Sequence, residues 1–257
     1  MRRVAAVAEY IFKQSFRNKI LNVLIMFAVF GIGFALVISE LAQEVEVKMV
    51  TDFGLFAIGL FGFLTLALSI TVQMFEETEL KTISMILVKP VTRLEYLIGK
   101  YIGITLTILM NVLLMLITLM VIIQIRGGDP WSLKLITAAG LIFISLGVLT
   151  STALLLSVIS TSVPGALIFL FFIYILGHLT MHLKHLAEAI NNTAANIVIN
   201  IFYYVLPNLE LFNLKDKIFS PSGLFSPRYL GFVILYASLY SFATLLAAAY
   251  VFEKKEY

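Results

Sequence analysis

Long apolar blocks alternate with short clusters of charge along this chain. A helix needs about 20 mainly apolar residues to cross a bilayer, where no water is available to satisfy its backbone. Six segments meet that requirement: Leu21 to Ser39, Phe53 to Met74, Tyr101 to Gln124, Leu135 to Ile159, Gly165 to Leu183 and Tyr229 to Phe252. No Lys, Arg, Asp or Glu occurs between Lys134 and Lys184, a run too long for one span at about 1.5 Å per residue. The break is predicted at Ser162-Val163-Pro164-Gly165, where Pro removes a helical hydrogen bond and Gly permits a reversal.

Two further segments carry a different pattern. In MRRVAAVAEYIFKQSFRNKI, residues 1–20, Val4, Val7, Ala8, Ile11 and Phe12 recur at helical spacing opposite Arg2, Arg3, Glu9, Lys13 and Arg17. That spacing predicts a helix lying in the headgroup plane; the alternative is the charged flank of the first span. The same charges interrupt the apolar core that a cleavable signal requires. The connection 184–228 is too polar for a span and has Pro207 near its middle, yet its apolar content suits short interfacial or re-entrant helices. A folded subdomain there would be too short to bury its own core.

Composition strengthens this reading. With 61% hydrophobic residues, 13% charged residues and a mean hydropathy of +1.01, the chain would expose large apolar patches as a soluble domain. The expected fold is a single all-α membrane domain over 1–257, with six transmembrane helices and membrane lipids as surroundings. A net charge of +3 gives no basis for nucleic acid as a partner. The placement of Lys and Arg says more than their sum: five precede the first span, four lie between spans two and three, and Lys254 and Lys255 close the chain. The other side has Lys48, Arg126, Lys134 and four along a longer connection. Both termini are therefore expected in the cytoplasm, in a multi-pass cytoplasmic-membrane protein. With no cysteine, disulfides, thiolate metal sites and Cys nucleophiles are excluded.

Chemistry is sparse. His178, His182 and His185 share one helical face at i, i+4 and i+7, a spacing that suits a metal ion, or equally rings settling at the headgroup boundary. Glu40, Glu44 and Glu46 beyond span one read as a solvated rim or an external cation site. Gln73, Asn111 and the series Ser145, Thr150, Ser151, Thr152 and Ser157 are read as glue between helices, and Gly54, Gly59, Gly62, Gly140 and Gly147 as packing positions. No span carries an internal Asp, Glu, Lys or Arg, which speaks against a proton-coupled carrier. Acid-base or nucleophilic catalysis finds no supporting constellation.

One stretch stands apart. FEETELKTISMILVKPVTRLEYLIGKY, residues 75–101, holds four acidic and four basic residues around an apolar run, on the predicted cytoplasmic side. Thr82, Ile83, Met85, Ile86, Leu87 and Val88 offer apolar surface, Pro90 stops the helix, and a helical pattern resumes into span three. This composition suits a docking surface for a cytoplasmic protein, or a connection lying on lipid.

The stretch resembles the cytoplasmic loop of ABC-2 type permeases, the membrane subunits of type-2 ATP-binding cassette exporters. The matching positions are Glu76, Glu77, Glu79, Thr82, Pro90, Val91, Thr92, Arg93, Glu95, Gly99 and Lys100; Lys81 and Ile83 stand where the family has Gly and Leu. LPNLELFNLKD, residues 206–216, is also similar to a segment of such permeases. The resemblance implies a coupling helix over 75–100, with Glu76, Glu77, Glu79, Thr82, Pro90, Arg93, Glu95 and Lys100 serving ATPase coupling. It further implies a second permease copy as homodimer partner and a separate ATPase subunit that carries ATP and magnesium. This chain has no phosphate loop and no cofactor of its own, so it is not expected to be an enzyme. The competing expectations are a membrane scaffold that recruits another cytoplasmic protein, and a metal-handling protein using the histidine face.

Overall fold

The structure is a computed structural model and describes residues 2–17, 19–39, 46–79, 92–160, 162–180, 193–214, 218 and 226–254. Among the described residues the chain is all-helical. The elements are α1 (Arg2–Arg17), α2 (Lys19–Ser39), α3 (Glu46–Glu79), α4 (Arg93–Ile125), α5 (Leu133–Ile159), α6 (Val163–His178), α7 (Thr193–Val205), a 3-10 turn (Leu209–Phe212) and α8 (Pro227–Lys254). Among the described residues, four helices are long and apolar enough to cross a membrane: α3 through Ile70, α4, α5 and α8; α6 is apolar but shorter.

The predicted break is present. Between α5 and α6 the chain reverses, with Ser162 as N-cap and Pro164 in the first turn, where its missing N–H breaks no helical bond. The connection 184–228 contains α7 and the 3-10 turn, the short helices expected there.

The core lies where α5 packs against α3, α4, α6 and α8. Leu55, Ile58 and Phe63 of α3 meet Ile104 and Met115 of α4 and Leu146 of α5 in one buried cluster. Apolar burial drives little helix association in lipid, so close packing must supply it. At Gly54 and Gly62 an added Cβ would fall 2.3 Å from Leu119 and 2.5 Å from Leu146, so these glycines set the approach of α3 to its neighbours. Gly140, expected to do the same, has nothing within 4 Å. Outward-facing Phe30, Phe169, Phe172 and Phe242 remain exposed, as a lipid-facing surface requires.

The polar residues divide in a way their sequence does not announce. Asn111 donates from Nδ2 to Thr65 Oγ1 at 2.8 Å and ties α4 to α3, as expected. The α5 hydroxyls of Ser145, Thr150, Thr152 and Ser157 instead donate to carbonyls of their own helix. A short hydroxyl reaches the carbonyl one turn back more readily than a neighbouring helix. Ser151 does both: it donates to Val148 O at 2.7 Å and accepts from Thr244 of α8 at 2.7 Å. The side chain of Gln73 lies outside the described residues.

The apolar stripe of α1 packs against α4, with Ala8 and Ile11 buried. Periodicity finds an apolar face without saying what covers it.

Candidate functional site

A polar cluster forms where α1, the start of α4 and the end of α8 meet, at the end of the bundle that holds the termini. Its base is a capping box: Thr92 Oγ1 accepts from the Glu95 backbone N–H at 3.2 Å, and Glu95 Oε2 accepts from the Thr92 N–H at 2.9 Å. Two orphan donors of the helix start are thereby satisfied. The Thr92 backbone N–H, its hydroxyl and the nearby Arg3 guanidinium hold the Glu95 carboxyl below the usual carboxylate range. Arg3 Nη1 lies 4.0 Å from Glu95 Oε2.

Arg93 turns toward α8. Its Nη1 donates to the carbonyls of Phe252 and of Glu253, the latter at 2.9 Å, and its guanidinium sits 5.5 Å from the centre of the Phe252 ring. Tyr96 stacks on the same ring, with centroids 6.1 Å apart. One turn on, Lys100 is fully buried; its Nζ lies 3.4 Å from Tyr96 Oη and 5.6 Å from the Tyr96 ring centre.

Two glycines admit α1 to this corner. A Cβ on Gly99 would fall 2.7 Å from Val7 Cβ, and one on Gly103 would fall 2.8 Å from Ala8 O and from Ile11 Cβ. The Gly-x-x-x-Gly spacing at the start of α4 is thus the seat of α1.

The candidate coupling residues are placed unequally. Arg93, Glu95 and Lys100 come together in this corner. Glu76, Glu77 and Glu79 occupy the last turns of α3. Thr82 and Pro90 lie outside the described residues.

The opposite end combines neutral hydroxyl bonds with one ion pair among the described residues. Residues 206–214 wedge between α5, α6 and α8, burying Leu209, Phe212 and Leu214. The Asn208 N–H donates to Tyr236 Oη at 2.8 Å, Tyr229 Oη donates to Leu211 O at 2.6 Å, and Tyr240 Oη donates to Val205 O at 2.9 Å. Gly177 leaves room for Leu209 and for Pro207 O, each within 3 Å of where a Cβ would stand. His178 Nδ1 lies 4.0 Å from Glu210 Oε2 and its ring meets Tyr174 edge-on. His182 and His185 lie outside the described residues. Glu46 pairs with Arg126 at 3.3 Å at this same end; Glu40 and Glu44 lie outside the described residues.

The comparison with known families takes in both ends. The chain belongs to the family described as protein of unknown function (DUF2705). The family match runs over residues 5–257, from the seat of α1 through the last turn of α8. No curated protein matches the chain.

Sequence reasoning missed Gly103 and the tyrosines that hold the wedge. Both left a signal: Gly103 stands four residues after Gly99, and Tyr229, Tyr236 and Tyr240 recur at i, i+7 and i+11, on one face of a helix.

Proposed function

We propose that this chain is the membrane-spanning permease subunit of an ATP-binding cassette exporter of the ABC-2 type. In this reading α2 and α6 join the four longer helices to make six spans, with both termini in the cytoplasm. A separate ATPase subunit, carrying ATP and magnesium, docks on the connection 80–91 and on the flanking end of α3. Hydrolysis there rocks the spans against those of a second permease copy.

The observation that carries the reading is the arrangement of the motif's second half. Of the residues read as a family signature, Arg93 bonds the end of α8, Glu95 faces Arg3 of α1 and Gly99 seats α1, while Thr92 caps α4 and Lys100 is buried beside Tyr96 of the same helix. A docking segment that must move several spans needs such a joint directly beside it. The Lys and Arg bias supports a cytoplasmic position for this end, where an ATPase would be found.

The test is purification of the full chain in mild detergent, followed by assay of the complex for vanadate-sensitive ATP hydrolysis. A P-loop ATPase that co-purifies, and is lost when Glu76→Lys and Glu77→Lys are combined, is the expected result. A stable chain with no such ATPase, or one that retains an unrelated protein without hydrolysis, contradicts the reading and favours a scaffold.

A further inference from the structure

Arg93 sits at the first position of α4, where its charge opposes the positive end of that helix's own dipole. A local rule broken in this way calls for a compensation elsewhere. The compensation lies 159 and 160 residues further along the chain, at the end of α8. The last carbonyls of a helix have no partner within it, and a cation there is favoured by the dipole. α8 has a basic residue of its own in the last turn, Lys254, but that ammonium lies 4.3 Å over the Tyr250 ring. Arg93 instead reaches the Phe252 and Glu253 carbonyls from another helix and rests on the Phe252 ring.

We infer that Arg93 is a positioning residue: an intramolecular latch that fastens the end of the last span to the exit of the connection 80–91. A planar guanidinium can serve two adjacent carbonyls and a ring face together, whereas an ammonium is a point charge without that fork. Tyr96 stacks on the far partner of the latch, while Gly99 and Gly103 of the same helix seat α1. A push on the connection therefore reaches α1, α4 and α8 as one body. The latch stands on this geometry alone; its part in energy coupling rests on the permease reading. It reassigns Arg93 from the surface that touches a partner to the joint that carries the partner's motion.

The chain has no cysteine, so nitroxide labels on Leu94→Cys and Tyr250→Cys, in labelled chain diluted with an excess of unlabelled chain, report the distance between α4 and the end of α8. With the full chain in lipid nanodiscs, dipolar broadening should show one narrow short distance with Arg93. Arg93→Gln should spread that distribution, and Arg93→Lys should spread it partly. If the Gln variant fails to fold, the Lys variant decides: a spectrum indistinguishable from the native one overturns the latch. In the complex with whichever P-loop ATPase co-purifies, Arg93→Lys should leave the amount bound unchanged. Coupled hydrolysis should fall about fivefold, the factor of roughly one hydrogen bond. Loss of bound ATPase with an unchanged spectrum would place Arg93 in the dock and overturn the latch. Absence of any ATPase would defeat the permease reading alone, with the spectra still judging the latch.

Discussion

The two ends of the bundle are joined by different chemistry. At the end that holds the termini, Arg93, Glu95 and Arg3 link helix ends through charge and capping, around a seat made by two glycines. At the other end, tyrosine hydroxyls bond main-chain groups of a wedge whose apolar side chains are fully buried. Charged joints near the surface respond to salt and acid, whereas neutral hydroxyls and buried side chains do not. The wedge should therefore hold its strength across salt and pH, while the Arg3–Glu95 contact at one end and the Glu46–Arg126 pair at the other weaken with salt.

The wedge should be the costlier end to damage. Leu209 is fully buried, so Leu209→Ala removes apolar contact and leaves a cavity, at a cost of about 2–5 kcal/mol. Thermal unfolding in detergent should show this loss equally at low and high salt. A strongly salt-dependent loss would mean that the wedge is held by charge after all.

Gly103→Val should cost less, about 1–3 kcal/mol, because the added atoms meet Ala8 O and Ile11. Hydrogen exchange should speed up across residues 4–15 and stay unchanged across 206–214. Equal acceleration in both segments would show that the two ends are not independent.

Much of this layout was legible. The long apolar blocks became helices, Pro164 marked the reversal, and the stripe of Val4, Val7, Ala8 and Ile11 gave an amphipathic α1. The partners of these features were not legible. Charged residues in a sequence read as solvated, yet Lys100 is buried and Arg93 meets carbonyls 159 and 160 residues away. No local periodicity carries information over that separation. The α5 hydroxyls other than Ser151 were misjudged for a related reason: composition reveals a hydrogen-bonding group but not that its own helix is the nearest acceptor.

Smaller effects should be confined to the charged end. Thr92→Ala removes the cap of α4, at about 1 kcal/mol. Exchange of the first-turn amides of α4 should report it, with the wedge unaffected.

The smallest effect is set by pH. Glu95 has a carboxyl pKa lowered in the folded chain from its ordinary 4.5. The unfolded chain therefore binds the proton first, and the contribution of the capping box is complete above about 4.5 and is lost as pH falls through the lower, folded value. Protection of the Thr92 N–H should fade over that acidic range in the native chain and show no such step in Glu95→Gln. The bonds at Tyr236 and Tyr240 should persist throughout.

The most direct measurement places a photoreactive cross-linker on a single introduced cysteine, either Leu94→Cys at the charged end or Trp131→Cys at the far end, in intact membranes. Both native side chains are exposed, and the chain has no cysteine to compete. Capture of a P-loop ATPase from Leu94→Cys and not from Trp131→Cys is the predicted result. Capture from neither position, or from the far end, would contradict the account.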